Sequence, residues 1–107
     1  MSRLENNYQA HLIKRIEREF PGCVVLKNDT AYLQGVPDLL ILFENRWAML
    51  EVKRSEGSPT RPNQEYYVAL FNRMSYSAFI YPENEEEILD DLQQAFGYFR
   101  PARATKR

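Results

Sequence analysis

Two apolar runs separated by only two polar residues constrain the fold of this chain more than any other feature. Residues 38–43 and 46–53 each have the length and the aliphatic content of a β-strand, and Glu44-Asn45 lies between them. A connection of two residues joins antiparallel strands in a β-hairpin. Because both runs are almost continuously hydrophobic, we predict strands that are covered on both faces and lie at the centre of the fold.

The short turn also predicts which residues of the two strands face each other. Phe43 and Arg46 flank the turn and form the first pair. The same register, continued to the far end of the hairpin, places Asp38 opposite Glu51 and on the same face. Lys53 follows on that face two residues later. A shift of one residue would separate the two acids, so any chemistry that they share depends on this register or on a bulge that restores it.

Periodic hydrophobic positions predict three helices and two further strands around the hairpin. We predict helices over about residues 3–20, over about residues 61–74 and from Asn84 as N-cap, with short strands at residues 23–26 and 76–81. The apolar residues expected to face the core are Leu4, Tyr8, Leu12, Ile16 and Phe20 in the first helix and Ile88, Leu89, Leu92 and Phe96 in the third. The predicted fold class is α/β, in the order αβββαβα, with a mixed central sheet of about four strands flanked by helices.

Length and composition restrict the class of protein and the kind of site. With 107 residues, 44% of them hydrophobic, the chain is expected to form one domain over residues 1–99, followed by a basic, frayed tail over residues 100–107. A single cysteine, Cys23, and a single histidine, His11, exclude a disulfide framework and a Cys/His zinc site, whereas oxygen-ligated metals stay open. No apolar run approaches the ~20 residues of a membrane span and the first residues lack an apolar signal segment, so the expected compartment is the cytoplasm.

The facing acids of the hairpin are the first candidates for chemistry. Carboxylates of Asp38 and Glu51, opposed across a strand pair, would lie about 5 Å apart and repel each other. A divalent cation removes that repulsion, and carboxylates with a backbone carbonyl, here that of Val52, suit Mg²⁺ or Mn²⁺. The ammonium of Lys53 beside such a metal can hold an attacking water or stabilise charge in the transition state. The pattern indicates metal-assisted phosphodiester hydrolysis, and an ordinary surface ion cluster is the alternative.

Glu5 in the first helix has two interpretations of equal weight. It completes a capping box with Ser2, or it points towards the core side of the helix and shares a metal with Asp38. Glu19, near the same face at the other end of the helix, is the substitute candidate for the second role.

The polar residues around the hairpin also have two interpretations each. Gln64, in the first turn of the second helix, is either an exposed polar side chain or a donor to phosphate or water. Lys27, Arg54 and Arg61 are solvated charges or, as a set around the site, a DNA-binding track for phosphates. The tyrosines expected to belong to the core rather than to stack on bases are Tyr66, Tyr67, Tyr76 and Tyr81.

At these residues the sequence resembles the P-D…E-x-K nuclease superfamily, and within it the small stand-alone VRR-NUC type nucleases of phages and bacteria. The resemblance spans about residues 2–81 and rests on Glu5, Gly35-Val36-Pro37-Asp38-Leu39, Glu51-Val52-Lys53-Arg54 and Gln64. It implies a restriction-endonuclease-like core. The implied metal ligands are Asp38, Glu51 and the Val52 carbonyl, with Lys53 as the catalytic lysine, Glu5 as an accessory acid and Gln64 as a helix-borne site residue.

The same resemblance implies an activity and a setting. It implies a Mg²⁺- or Mn²⁺-dependent, structure-selective DNA endonuclease that often works as a homodimer, with four-way junctions among its substrates, in a bacterial or phage-infected cell. Two alternatives stay open. One is a nuclease-like module that binds DNA without cutting it. The other is a sequence-specific restriction-type endonuclease, which is less favoured because the chain is short and has no separate recognition segment.

The net charge of −1 hides an uneven distribution. Six acids and no bases lie between residues 83 and 91, which leaves 14 bases against 9 acids in the rest of the chain. Near-neutrality therefore does not exclude a nucleic-acid partner. We expect DNA to meet the face that carries Lys27, Lys53, Arg54 and Arg61, and the acidic start of the third helix to point away from it.

Overall fold

A four-stranded sheet with helices on both faces forms the part of the chain that the computed structural model describes, residues 3–99. The elements are α1 (Arg3–Glu19), β1 (Val24–Lys27), β2 (Leu39–Phe43), β3 (Arg46–Val52), α2 (Pro62–Met74), β4 (Tyr76–Ile80) and α3 (Glu85–Phe96), with a short 3₁₀ turn at Pro82–Asn84. The predicted α/β class and element order are confirmed. Ser2, half of the predicted capping box, and the predicted basic tail lie outside the described residues.

The sheet is mixed and its strands lie side by side in sequence order. β1 pairs with β2 and β2 with β3 in antiparallel fashion, whereas β3 pairs with β4 in parallel, with α2 as the crossover. Phe43 faces Arg46 and Leu39 faces Leu50, which confirms the register predicted from the two-residue turn. Regular pairing ends with Leu39 and Leu50, so Asp38 and Glu51 are the next residues at the position where the hairpin opens.

One face of the sheet carries the core. The buried cluster combines Leu39, Ile41, Phe43, Ala48, Leu50, Val52 and Ile80 of the strands with Leu12, Ile16 and Phe20 from the α1 side and Ile88, Leu89, Leu92 and Phe96 of α3. The inward positions predicted for α3 are thereby confirmed. For α1 the prediction is wrong at Leu4, which is 59% exposed. Tyr8 packs at the edge of the cluster, so the first turn of α1 extends past the core.

The opposite face of the sheet is covered only in part. Helix α2 packs over β3 and β4, where the rings of Trp47 and Phe71 meet edge to face at 6.2 Å. Over β1 and β2 no such cover is present among the described residues, and Val24, Leu26 and Leu42 are 51%, 45% and 38% exposed. The prediction that both hairpin strands are covered on both faces is therefore wrong at Leu42 of β2, because the 13-residue helix α2 packs over β3 and β4.

The acidic start of α3 is tied to α1. Arg15 of α1 contacts Glu85 at 2.5 Å and Glu86 at 2.7 Å, and the Tyr8 hydroxyl donates to Glu85 at 2.7 Å. Asn84 occupies the N-cap position, but its side chain makes no capping hydrogen bond to α3. It instead accepts from the Tyr81 N–H at 2.9 Å, because the 3₁₀ turn inserted before α3 brings its side chain back onto the preceding strand.

No helix within residues 3–99 combines the length and the apolarity that crossing a bilayer requires.

Candidate active site

A cavity of about 560 Å³ opens where the β2–β3 hairpin ends. Its walls come from the first turn of α1, the loop before β2, the segment after β3 and the start of α2. The residues that line it are Glu5, Thr30, Gln34, Gly35, Val36, Asp38, Glu51, Lys53, Arg54, Ser58, Pro59, Arg61, Asn63 and Gln64. Of the predicted site residues with a functional side chain, all lie in this cavity except Lys27.

The Asp38 side chain is fixed by the neighbouring strand. Its Oδ2 accepts a hydrogen bond from the Val52 N–H at 2.9 Å, and its backbone carbonyl accepts from the Asn28 N–H at 2.8 Å. Burial raises the pKa of the Asp38 carboxyl, and the nearby charge of Glu5 adds to this effect, while the Val52 N–H and Lys53 oppose it. The hairpin register thus determines both the position and the electrostatic environment of this acid.

Glu51 is buried, with 5% of its surface exposed. Burial raises the pKa of Glu51 to about 8, and repulsion from Asp38 contributes in the same direction. Its Oε2 lies 3.8 Å from the Lys53 ammonium and accepts a hydrogen bond from Gln64 Nε2 at 3.1 Å. In the metal-free protein near neutral pH, Glu51 therefore holds its proton to a large extent, and a bound cation would displace that proton.

Lys53 is also buried, at 8% exposure, and donates from Nζ to Gln64 Oε1 at 2.9 Å. Its backbone N–H donates to the Ile80 carbonyl at 2.8 Å, which anchors the end of β3 to β4. Gln64 is half-buried and joins Lys53 to Glu51, so its interpretation as an isolated exposed polar residue is wrong. Gln64 Oε1 also accepts from the Arg61 N–H at 3.1 Å, which holds the side chain at the start of α2.

Glu5 reaches the cavity from the first turn of α1, and its charge raises the pKa of both Asp38 and Glu51. Glu5 therefore faces the cavity, which lies beyond the core because the first turn of α1 extends past it. The substitute candidate, Glu19, does not line the cavity and pairs with Arg15 at 3.1 Å.

The three predicted phosphate-binding cations divide into two groups. Arg54 and Arg61 line the cavity, both on exposed segments between β3 and α2. Lys27 is exposed at the end of β1, opposite Leu39, and is not among the cavity residues. The structure thus brings Arg54 and Arg61, but not Lys27, to the same space as the acids.

Sequence reasoning missed the wall formed by Thr30, Gln34 and Asn63. The loop before β2 approaches α2 so closely that a Cβ on Gly35 would lie 2.8 Å from the backbone carbon of Asn63. Gly35 also has a φ of +92°, in the left-handed region that favours glycine. The glycine three residues before Asp38 was the available signal, because a close approach of this kind requires glycine.

The oxygen donors in the cavity fit a hard divalent cation. Asp38, Glu51 and Glu5 offer carboxylates, and no histidine or cysteine lines the space. Within residues 3–99, no three acidic, histidine or cysteine side chains stand close enough together to form a metal site by themselves. Mg²⁺ commonly uses one or two carboxylates and keeps several waters, so the arrangement suits Mg²⁺ or Mn²⁺ better than a cation that needs a full protein cage.

Two solved structures resemble this chain over most of its length. A structure named "VRR_NUC domain" superposes with a TM-score of 0.68 at 23% sequence identity, covering 83% of this chain and 97% of that one. The chain has the fold of a VRR_NUC domain. A second structure, named "VRR_NUC domain protein", has a TM-score of 0.65 at 17% identity and covers 91% of each chain. No protein-family model and no curated protein matches the sequence.

The VRR_NUC fold is the one implied by the resemblance of Pro37-Asp38 and Glu51-Val52-Lys53 to the nuclease superfamily. Those residues lie at the open end of the hairpin and line or border the cavity. The fold implied by the residue pattern is therefore the fold that the chain has.

Proposed function

We propose that this protein is a Mg²⁺- or Mn²⁺-dependent endonuclease that hydrolyses phosphodiester bonds of DNA. The observation that supports it best is the buried group at the hairpin end, in which Glu51 lies 3.8 Å from Lys53 and Gln64 contacts both. Burying charged groups is costly unless they are paired or bind a metal. An ordinary surface ion cluster does not explain two acids, the buried Glu51 and the half-buried Asp38, that lie in a cavity at the end of two strands and whose ionised forms repel each other.

The cavity residues have distinct parts in this proposal. Asp38, Glu51 and the Val52 carbonyl would hold the cation, with Glu5 as an accessory acid that shares it. A bound cation lowers the pKa of its water and offsets charge on phosphate oxygens. Lys53 donates one of its three ammonium protons to Gln64, so two remain to orient a water or to contact a phosphate oxygen. Arg54 and Arg61 would hold the flanking phosphates.

We further propose that the substrate is branched or otherwise structured DNA, including four-way junctions, and that the protein acts as a homodimer. A four-way junction needs two symmetric cuts, and two copies related by a two-fold axis supply two cavities. The acidic start of α3 is bound to Arg15 and does not line the cavity, which supports an orientation with DNA on the Arg54 and Arg61 side. We place the nuclease domain within residues 1–99, the basic tail at 100–107, and the activity in the cytoplasm of a bacterial or phage-infected cell.

The test is a cleavage assay on linear, flapped, splayed and four-way DNA of shared sequence, with Mg²⁺, with Mn²⁺ and with a chelator. We expect cleavage only with metal, and preferentially on the branched forms. Asp38→Asn, Glu51→Gln and Lys53→Ala should abolish it while the thermal unfolding transition is retained, and Glu87→Gln on the exposed face of α3 is the matched control.

The other outcomes of this assay are equally informative. Wild-type cutting by folded Glu51→Gln protein would overturn the proposed mechanism. Tight DNA binding with no cleavage under any condition would identify a DNA-binding module, and fixed cleavage positions on plasmid DNA would identify a restriction-type enzyme.

A further inference from the structure

An exposed tyrosine lies on the loop that forms one wall of the cavity. This loop, residues 28–37, joins β1 to β2, and Tyr32 lies midway between Thr30 and Gln34, both of which line the cavity. Tyr32 is 88% exposed, whereas the next most exposed large hydrophobic residue of the described chain, Met74, is 62% exposed. Single exposed hydrophobic side chains are common on protein surfaces. The position of Tyr32 between two residues that line the cavity, rather than its exposure alone, therefore suggests a functional role.

The loop holds Tyr32 in a defined position. Asp29 Oδ1 accepts hydrogen bonds from the N–H groups of Ala31 at 2.9 Å and Tyr32 at 3.2 Å, which forms an Asx turn. The Leu33 N–H donates to the Asp29 carbonyl at 3.2 Å. Asn28 closes the base of the loop by donating to the Pro37 carbonyl at 2.8 Å. Because these hydrogen bonds order the backbone of the loop, the loop would not need to fold when Tyr32 met a ligand.

Other tyrosines of the chain have partners within the fold, and Tyr32 differs from them. The hydroxyls of Tyr8 and Tyr76 donate to Glu85 and Asp91, and the ring of Tyr66 lies 5.0 Å from that of Tyr67. Within residues 3–99, the Tyr32 side chain makes no hydrogen bond and no ring contact. Packing of the fold therefore does not explain an aromatic residue at this position.

We propose that Tyr32 stacks on a nucleobase next to the phosphodiester held in the cavity, and that it selects DNA whose bases are unpaired or unstacked there. The inference rests on the proposed nuclease function and specifies which feature of structured DNA the site recognises. Every base has a flat face that an aromatic ring can cover, so stacking does not require a particular sequence. In a continuous duplex those faces are covered by neighbouring base pairs, and Tyr32 would find no partner.

The expected size of the effect follows from the strength of stacking on aromatic side chains. Loss of one such contact weakens binding about 5- to 150-fold. The loss should be confined to substrates with an exposed base face. Tyr32→Phe keeps the ring and should behave as wild type, because stacking does not need the hydroxyl.

The experiment compares wild type, Tyr32→Ala, Tyr32→Phe and the control Tyr66→Ala, whose ring is also exposed but contacts Tyr67. Each protein is tested with a splayed-arm DNA that carries 2-aminopurine at the branch. A continuous duplex of the same sequence, with 2-aminopurine at the same nucleotide, serves as the comparison. Binding is followed by 2-aminopurine fluorescence in chelator, and cleavage is followed in Mg²⁺. We expect only Tyr32→Ala to lose the fluorescence change. Its affinity for splayed DNA and its rate of cutting that DNA should fall about tenfold, while its affinity for the duplex should stay unchanged.

The two proposals fail in different ways in this experiment. If wild type cuts but Tyr32→Ala matches it on splayed DNA, the stacking inference is wrong and the nuclease function stands. If Tyr32→Ala binds splayed DNA and duplex DNA with equally reduced affinity, Tyr32 contacts the DNA backbone. The stacking inference is then also wrong. If wild type binds without cutting, the nuclease function is wrong and the fluorescence change still decides on Tyr32. If wild type binds neither splayed nor duplex DNA, both the nuclease function and the stacking inference are wrong.

Discussion

Gln64 donates a hydrogen bond to Glu51 at 3.1 Å, although one residue lies in a helix and the other in a strand. The opposite end of the same amide accepts from Lys53 at 2.9 Å. Because an ammonium group only donates, the oxygen of Gln64 must face Lys53 and its nitrogen must face the carboxyl. The orientation of the amide is therefore determined, and Gln64 positions an acid and a base that lie 3.8 Å apart.

Removal of this amide should lower activity without abolishing it. Gln64→Ala leaves Glu51 and Lys53 in place but frees both side chains, and loss of such a supporting contact lowers metal affinity or turnover about 10- to 100-fold. Cleavage rates measured over a range of Mg²⁺ concentrations give the effect, with Gln94→Ala on the exposed side of α3 as the control. An unchanged rate for Gln64→Ala at every Mg²⁺ concentration would contradict a positioning role.

The raised pKa of Glu51 predicts how stability depends on pH in the metal-free protein. Its pKa is about 8 in the folded state against 4.5 for an unperturbed glutamate. The unfolded chain therefore loses this proton first, and the free energy of unfolding falls as pH rises from about 4.5 to about 8. Thermal unfolding in chelator should show a midpoint that declines by several degrees across this window.

In Glu51→Gln the unfolding midpoint should change little between pH 4.5 and about pH 8, because the amide does not titrate. In Glu87→Gln the midpoint should decline as it does in wild type. Mg²⁺ should restore stability in wild type at pH 8, since the cation favours the ionised carboxylates. A wild-type decline that persists in Glu51→Gln would assign the pH dependence to another group.

A methyl group at position 35 should disturb the site. Gly35→Ala places a Cβ 2.8 Å from the Asn63 backbone at a positive φ, so the loop and the start of α2 must separate. We expect lower stability, by roughly 1–3 kcal/mol, and a larger proportional loss of cleavage because Asp38 follows three residues later. Gly57→Ala is the control, since nothing lies within 4 Å of the added atom. Denaturant unfolding and cleavage rates that are equal for the two variants would refute the close-approach argument.

The cavity arginines should account for part of the salt dependence of DNA binding. Each arginine that neutralises one phosphate contributes about 0.9 to the slope of log affinity against log salt. Arg54→Ala and Arg61→Ala should each reduce that slope by about this amount, while Arg73→Ala, in the last turn of α2, should not. The Lys27 prediction is tested in the same series, and a slope change for Lys27→Ala would extend the DNA-binding surface to the end of β1.

Local features of the sequence were sufficient to predict the hairpin register, which brings Asp38 and Glu51 to the same end of the hairpin. A two-residue turn fixes which residues face each other, and strand alternation then carries that relation to the end of the hairpin. Both rules involve residues close together in the chain. The α/β class and the element order were likewise predictable from periodicity and breakers.

The contacts and the exposure of side chains described next depend on how elements that are distant in sequence pack together. Hydrophobic periodicity does not predict that packing. The contact of Gln64 with Lys53 follows from the position of α2 on the sheet. Tyr66 was expected in the core because aromatic residues are usually buried, but it is 58% exposed, because α2 buries only one side of itself. The exposure of Leu42 in β2 was missed for a similar reason, since a hydrophobic run does not indicate how much of a strand a helix will cover.

The antiparallel arrangement of β1, β2 and β3 has a consequence for the order of folding. Two residues join β2 to β3 and eleven join β1 to β2, so these contacts close smaller loops than the 23-residue connection through α2 that leads from β3 to β4. We expect the two acids to meet early, before the amide of Gln64 arrives. Substitutions in the hairpin should then slow refolding, while those at the start of α2 should mainly accelerate unfolding.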